Sequence, residues 1–546
     1  MSRGSIFEIP RGLHNCCQCE AYVRSRLGGK AQPSLLNLKQ LSHLDLSNND
    51  FGGVPIPSFI GSFKSLRYLN LSYAGFGGVI PHQLGNLSSL QYLDLIGYFE
   101  GLIPHQLGNL SSLRYLKLRG GFVENLQWLY GHSLLQHIDL SYVNLTRASD
   151  WLQVTNMLPS LVELSLSACS LDHFPALPAV NFTSLATLDL SFNYFQSFSI
   201  PDWLLIGLKG LDSLNLQFCG LHGPISSGVR NMTFLRNLIL SYNLFNSTIP
   251  DWLYGFSHLE YLNLSFNDLQ GVISSAIGNL TSLTTLTSHL IRTQLSGHFP
   301  DATRQLRQSK NLEALFLSSC FVFDHIPLAL GELLTLQYLD ISNNSLSGHI
   351  PMSLGRSSSL KYLYLSGNNL SGPVPETLGQ LANLEVFSMC ENSLQGVISE
   401  VHFANLTRLR EFIGGFISHF LCYKMEQPKD LELLNLEGNL LSGEIPDCWM
   451  SWFGLEFLSL RNNNLTELTV MDFGENKFSG SIPAWIGERL VNLKILILRS
   501  NKFHSNIPKE LCALFSLQIL DLANNNLWGS IPKCLMNISA MGMKLD

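Results

Sequence analysis

"LEYLNLSFN", residues 259–267, places leucines at its first, fourth and sixth positions and an asparagine at its ninth. The spacing returns in "LSHLDLSNN" from Leu41, "LRYLNLSYA" from Leu66, "LATLDLSFN" from Leu185, "LQYLDISNN" from Leu336 and "LQILDLANN" from Leu517. First leucines fall at 211, 235, 259 and 283, then at 312, 336, 360 and 384, a step of 24 residues. About 21 such units fit along the 546 residues, a few of them degenerate.

A template restated at this period predicts an α/β fold of the solenoid kind, the leucine-rich repeat. Side chains alternate across a strand, so both leucines of LxL point inward and the residue between them points out. Stacked units then build a parallel sheet on a concave face, roughly 100 Å long at the ~4.8 Å strand spacing. The template Asn (Asn49, Asn193, Asn243, Asn267, Asn344, Asn368, Asn439, Asn463, Asn501, Asn525) turns the chain inward, and its amide can satisfy backbone groups buried between coils. Cys169, Cys219 and Cys320 occupy the same position, as buried thiols. Phe or Leu two residues on, such as Phe195, Phe245 and Leu269, fills the next core layer.

Composition fits one long array: 46% of residues are hydrophobic and 14% charged, with 43 Gly and 22 Pro spread evenly. A net charge of −7 with scattered Lys and Arg argues against nucleic acid. No Cys/His set has zinc spacing, there is no HExxH, and no Ser/His/Asp arrangement stands out, so the chain reads as a non-enzyme without cofactor or metal. Asp472-Phe473-Gly474 matches a kinase tripeptide, but no HRD loop accompanies it. Asp472 is the outward residue between Met471 and Phe473, with Asn476 as the Asn that follows, so the tripeptide is repeat.

A second phrase follows the template: "GVIP" at Gly78, "GHIP" at Gly348, "GEIP" at Gly443 and "GSIP" at Gly480 and Gly529. With "LGNLSSL" at Leu84 and Leu107, it resembles the plant-specific LxGxIP form of the repeat. Residues 150–171 ("DWLQVTNMLPSLVELSLSACSL") and 517–541 look like plant receptor-like proteins of the xylanase-receptor type. That resemblance covers residues 33–546. It implies a second short strand per coil, a twisted superhelix, and a place on the extracellular side of the plasma membrane. It also implies an immune or developmental sensor without a kinase domain, which binds a protein or peptide on the solenoid and signals through receptor-kinase co-receptors. A secreted soluble interaction or inhibitor protein and a non-functional truncated copy are the alternatives.

Two aromatic columns are candidate ligand anchors, since aromatic side chains dominate binding hot spots. Tyr142, Phe192, Phe218, Tyr242 and Phe266 precede the template Asn, with Ala168 as the gap, and are assigned to ligand binding on the concave face. The competing reading is that "LSFN" and "LSYN" are common fillings whose rings pack on each other. Tyr68, Tyr92, Tyr115, Tyr261, Tyr338 and Tyr362 form a second column, expected to cover the sheet edge.

Fourteen N-x-[ST] sequons suit a secreted glycoprotein: Asn70, Asn86, Asn109, Asn144, Asn181, Asn231, Asn246, Asn263, Asn279, Asn343, Asn369, Asn405, Asn464 and Asn537. Asn70 and Asn263 lie between strand leucines, where a glycan would project from the sheet. Cys512 and Cys534 recur in adjacent coils at nearly matching phase, so a disulfide is expected in an oxidising compartment. Cys16, Cys17 and Cys19 resemble a remnant of the family's N-terminal cap.

The template breaks at three places, giving a cap remnant over 1–38, a regular block over 39–283, and an irregular segment over 284–311 that loses its LxL strand. A block over 312–408, an irregular segment over 409–430 and a last block over 431–546 follow, with a shortened coil near 455–476. Leu455 to Leu468 is only 13 residues where neighbouring coils need 24. The first residues have no apolar signal core and no stretch has the ~20 apolar residues of a membrane span, so an incomplete ectodomain is expected.

Overall fold

The computed structural model describes residues 26–28, 33–38, 40–195, 200–287, 294–303, 306, 309–415, 419–420, 428–437, 439, 457–459, 463, 468–474 and 478–537. It divides into two compact units, Met1–Asn243 and Leu244–Asp546. Cys16, Cys17, Cys19, Asn464 and Asn476 lie outside the described residues.

In the first unit one strand per coil joins a parallel ladder: His43–Asp45, Tyr68–Asn70, Tyr92–Leu102, Tyr115–Phe122, His137–Asp139, Glu163–Ser165, Thr187–Asp189, Ser213–Asn215 and Asn237–Ile239. Register is in phase along the LxL segments, so Leu69 faces Leu93, Leu164 faces Leu188 and Leu214 faces Leu238, and it shifts only beyond Leu95 in the pairing of Tyr92–Leu102 with Tyr115–Phe122. The two template leucines of each coil close the interior, with Leu69, Leu71, Leu93 and Leu95 all buried.

The second unit continues the pattern with nine consecutively paired strands from Tyr261–Asn263 to Phe457–Ser459. Three more, Val470–Asp472, Ile495–Ile497 and Ile519–Asp521, form their own ladder. Twenty-one coil strands are therefore present among the described residues, in line with the count read from the leucines.

The LxGxIP phrase forms a second ladder. Gln270–Val272, Gln294–His298, Val322–His325, Ser345–Gly348, Asn369–Gly372 and Ser393–Leu394 pair in parallel in the second unit. Its proline sets up the return. Pro81, Pro351 and Pro375 hold φ between −68° and −72° and lead into five-residue 3-10 helices, His82–Asn86, Met352–Arg356 and Glu376–Gln380. The glycine within "LGN" is required by stacking, because a Cβ on Gly85 would collide with the carbonyl of Gln106 on the next coil.

Two of the three expected breaks do not interrupt the strands. Residues 284–311 do not lose their strand: Thr285–Thr287 pairs with both neighbours, and the extra length falls in the return through Gln294–His298 and Phe299–Thr303. Residues 409–430 also keep theirs, since Glu411–Ile413 pairs on both sides with Phe412 buried where the template has Leu. At 455–476 the described residues differ: the longer ladder ends at Phe457–Ser459 and a separate one begins at Val470–Asp472. Asp472 ends that strand, its Oδ1 accepting the Gly474 amide at 2.9 Å, while Met471 and Phe473 are buried.

Candidate binding surface

Three rows of outward side chains run along the first unit. The first begins each strand. His43, Tyr68, Tyr92 and Tyr115 stack ring on ring at centroid distances of 4.0, 4.3 and 4.3 Å, and His137 continues the row at 5.6 Å. These tyrosines are strand residues in direct register, half-buried by one another, and not an edge cover as expected. Strand spacing near 4.8 Å brings equivalent rings close to stacking distance. Burial first, then the neighbouring Tyr115 and the Asp94 carboxylate, hold the Tyr92 hydroxyl protonated far above its ordinary range.

The second row is the third residue of each strand and is polar from Asp45 through Asn70, Asp94, Lys117, Asp139 and Ser165 to Asp189. Its carboxylates serve their own turns, as when Asp139 Oδ1 accepts the Ser141 amide at 3.0 Å. Lys117 Nζ meets Asp139 Oδ2 at 2.7 Å. Burial pulls the Lys117 pKa down, but the bond to Asp139, that carboxylate's charge, Tyr115 and Asp94 together outweigh it and the net shift is upward. Burial pushes the Asp94 pKa up, opposed by the Ile96 amide and Lys117.

The third row lies in the turns beyond the strands, and here the expected anchors appear. Tyr142, Phe192, Phe218 and Tyr242 adopt φ of 66°, 56°, 55° and 56°, the left-handed region that side-chain-bearing residues avoid. They border the sheet instead of standing within it. Phe192 stacks on Phe218 at 5.3 Å and Phe218 on Tyr242 at 4.4 Å, each pair within 13° of parallel. Between 37% and 50% of each of these three rings stays exposed, so self-packing does not hide them. Tyr142 stands apart across Ala168 and lies under the Arg119 guanidinium at 4.1 Å. Phe266, with φ of 56°, belongs to the second unit and is half-buried there.

A feature the repeat reading missed sits beside this row. Coils beginning at Leu90 and Leu113 lack the template Asn, and their strands run on unbroken as Tyr92–Leu102 and Tyr115–Phe122. Gly120 and Gly121, at φ of 82° and 69°, permit the close approach, since a Cβ on Gly120 would strike the Phe99 carbonyl. A cavity of about 460 Å³ opens there, lined by Asn48, Asp50, Tyr73, Gly97, Tyr98 and Arg119 among others. Coil steps of 23 and 22 residues were the available signal.

Of the sequons, Asn86, Asn109, Asn144, Asn181, Asn231, Asn246, Asn279, Asn343, Asn369 and Asn405 are exposed. Asn70 and Asn263 are half-buried strand ends whose Oδ1 atoms accept the Ser72 and Ser265 amides at 3.0 Å. The side chain of Asn537 lies outside the described residues. Cys512 and Cys534 are joined as a disulfide with Cα atoms 5.6 Å apart. Among the described residues no three His, Cys, Asp or Glu converge as a metal site, and no helix is long and apolar enough to cross a membrane.

Known proteins share this architecture. A family model described as "Leucine rich repeat" matches residues 39–97 and 233–287, and another described as "Leucine Rich Repeat" matches 335–357, 359–381, 430–452 and 516–538. Receptor-like protein EIX1 of Solanum lycopersicum is 37% identical over 240 residues, which is 42% of this chain and 21% of that protein. Receptor-like protein EIX2 of the same plant is 37% identical over 231 residues, 42% of this chain and 20% of that protein. The matched stretch thus spans about a fifth of the length of these relatives. Among solved structures, the Arabidopsis receptor kinase HAESA in complex with the peptide hormone IDA and the co-receptor SERK1 is 26% identical, with a TM-score of 0.59 over 94% of this chain and 86% of that one. The plant peptide hormone receptor RGFR1 in complex with RGF2 is 28% identical, with a TM-score of 0.56 over 94% and 90%.

Proposed function

The chain is a leucine-rich-repeat protein of the plant receptor-like type, and we propose that its turn row and sheet face bind a protein or peptide ligand. One observation carries this reading: the stacked, half-exposed rings of Phe192, Phe218 and Tyr242 occupy turn positions where an aromatic side chain is energetically misplaced. A non-glycine residue in the left-handed region costs about 1 kcal/mol or more, and the same turn position holds Asn or Gly in some coils (Asn48, Asn343, Gly367, Asn524) and small or polar residues in others (Ala168, Ser319, Glu391, Ser500). Local misfit of this kind is expected where a residue serves binding instead of folding.

In this reading the chain is extracellular, associated with the plasma membrane, not an enzyme, and dependent on receptor-kinase partners for signalling. The peptide and co-receptor complexes of its structural neighbours support that direction. The test is the triple substitution F192N/F218N/Y242N in the secreted full chain, Asn being chosen because it tolerates positive φ. Wild-type and variant proteins are compared by interferometry against a panel of microbial secreted proteins, a fungal xylanase included, and synthetic plant peptides. A panel member bound by the wild type and at least about tenfold more weakly by a folded variant is the expected result, as loss of a hot spot implies. Equal binding by the two would remove the turn row from the site.

A further inference from the structure

The cavity beside the turn row is built differently from every surface the repeat template alone would make. Its floor exists because the coils from Leu90 and Leu113 drop the template Asn and run their strands through the place where other coils turn. Arg119 lines this cavity, as Arg26 does, and its guanidinium carbon sits 4.1 Å over the Tyr142 ring. A guanidinium held over an aromatic ring has its N–H bonds in its own plane, where they can meet a partner. No carboxylate among the described residues pairs with it. Asp50, the one acidic residue on the lining, is engaged by its own turn, its Oδ1 accepting the Gly52 amide at 3.0 Å. Tyr73 and Tyr98 offer exposed rings on the walls, 58% and 87% accessible. At about 460 Å³ the space falls within the range of small-ligand pockets and would hold one or two residues of a peptide.

We propose that this cavity is a carboxylate socket for the peptide or protein ligand, with Arg119 as the anchoring charge and Tyr142 as the platform that positions it. The inference rests on the binding reading above and gives it a chemistry. A carboxylate would accept two parallel N–H bonds from Arg119, the strong bidentate arrangement, while an adjoining apolar or aromatic residue lies against Tyr73 and Tyr98. The carboxylate could be a chain terminus or an acidic side chain, and both present the same group.

Two probe pairs separate those sources in saturation-transfer NMR with the secreted full chain. Acetyl-glycyl-phenylalanine, as free acid and as amide, reads the terminus. Acetyl-phenylalanyl-aspartic acid amide against its asparagine counterpart reads the side chain. In at least one pair the acid should bind about fivefold tighter or more than its neutral twin, the size of a charge-assisted hydrogen bond. That preference should vanish in Arg119→Gln and persist in weakened form in Arg119→Lys. Absence of an acid preference in both pairs, or its survival in a folded Arg119→Gln protein, overturns the proposal. Such a failure leaves ligand binding by Phe192, Phe218 and Tyr242 intact as a separate result.

Discussion

Asn193 and Cys169 hold adjacent coils to each other: Asn193 Oδ1 accepts the Cys169 amide at 3.0 Å, and the Cys169 thiol in turn donates to the Leu140 carbonyl at 3.0 Å. Asn193 also accepts the Leu171 amide at 2.9 Å and donates through Nδ2 to the carbonyls of Leu166 and Leu190, both at 2.8 Å. The thiol therefore reproduces the asparagine's donor to the preceding coil but not its acceptor. Burial pushes the Cys219 thiol up to about 12 and Cys169 further, so both remain protonated donors at neutral pH.

Asn193→Ala should accordingly cost about 3 kcal/mol or more, because buried amides and carbonyls lose their partners with no water to replace them. Asn193→Cys should cost roughly half as much, since one donor survives. Urea unfolding of the full chain measures both. Equal losses would mean that the acceptor side carries all of the ladder's contribution.

Phe218 permits a test of backbone strain apart from binding. At φ of 55° glycine is at ease and alanine is not, so Phe218→Gly should be more stable than Phe218→Ala by about 1 kcal/mol. On a helix or strand the order would reverse. Thermal unfolding of the two variants decides it, and alanine matching glycine would show that the turn relaxes when the ring is removed.

This strain also marks the limit of what the sequence tells. The coil count and the Asn ladder were legible because each coil restates the same leucines and the same amide, and Asn243 and Asn344 repeat the bonds of Asn193 almost atom for atom. The strand at Glu411–Ile413 was hidden by Phe412 standing in for leucine, although the core accepts either. The strand at Thr285–Thr287 was hidden by threonines around Leu286. The left-handed turn did leave a trace, since Asn48, Asn343, Asn524 and Gly367 recur in the column that holds Phe192 and Phe218. The cavity left a fainter one: "LDLIGYFEG" keeps the leucines, and its missing Asn and the coil steps of 23 and 22 residues are all that separate it from an ordinary coil.

His132 predicts how the first unit responds to acid. The ring is fully buried, set edge-on to Trp128 at 6.3 Å, and burial lowers its pKa against a weaker opposing pull from the backbone of Leu129 and Leu107. Above the ordinary histidine value of 6.5 the group is neutral in both states and adds no pH dependence. As pH falls below it, the unfolded chain binds a proton that the folded chain resists, so stability declines by up to about 1.4 kcal/mol per pH unit from this group. Unfolding curves between pH 7.5 and 5 should therefore slope downward toward acid, and less so in His132→Leu. An unchanged slope in that variant would assign the acid sensitivity elsewhere.

The Cys512–Cys534 bridge ties two neighbouring coils of the last ladder across a separation of 22 residues. Val470–Asp472, Ile495–Ile497 and Ile519–Asp521 pair only among themselves in the described residues, so these coils draw on three strands where the preceding ladder draws on nine. Nearest-neighbour stacking supplies most of a solenoid's stability, which leaves a three-strand ladder dependent on any additional constraint. Closing a loop of this size restricts the unfolded chain by about 3 kcal/mol on the entropic estimate. Replacing both cysteines by serine should therefore release the last ladder first. Limited proteolysis would then cut beyond residue 468 at protease concentrations that leave the first unit intact, and hydrogen exchange would rise in Ile495–Ile497 and Ile519–Asp521 but not in Leu214 or Leu238. Protection that falls evenly along the chain would instead mean that the three-strand ladder unfolds together with the rest.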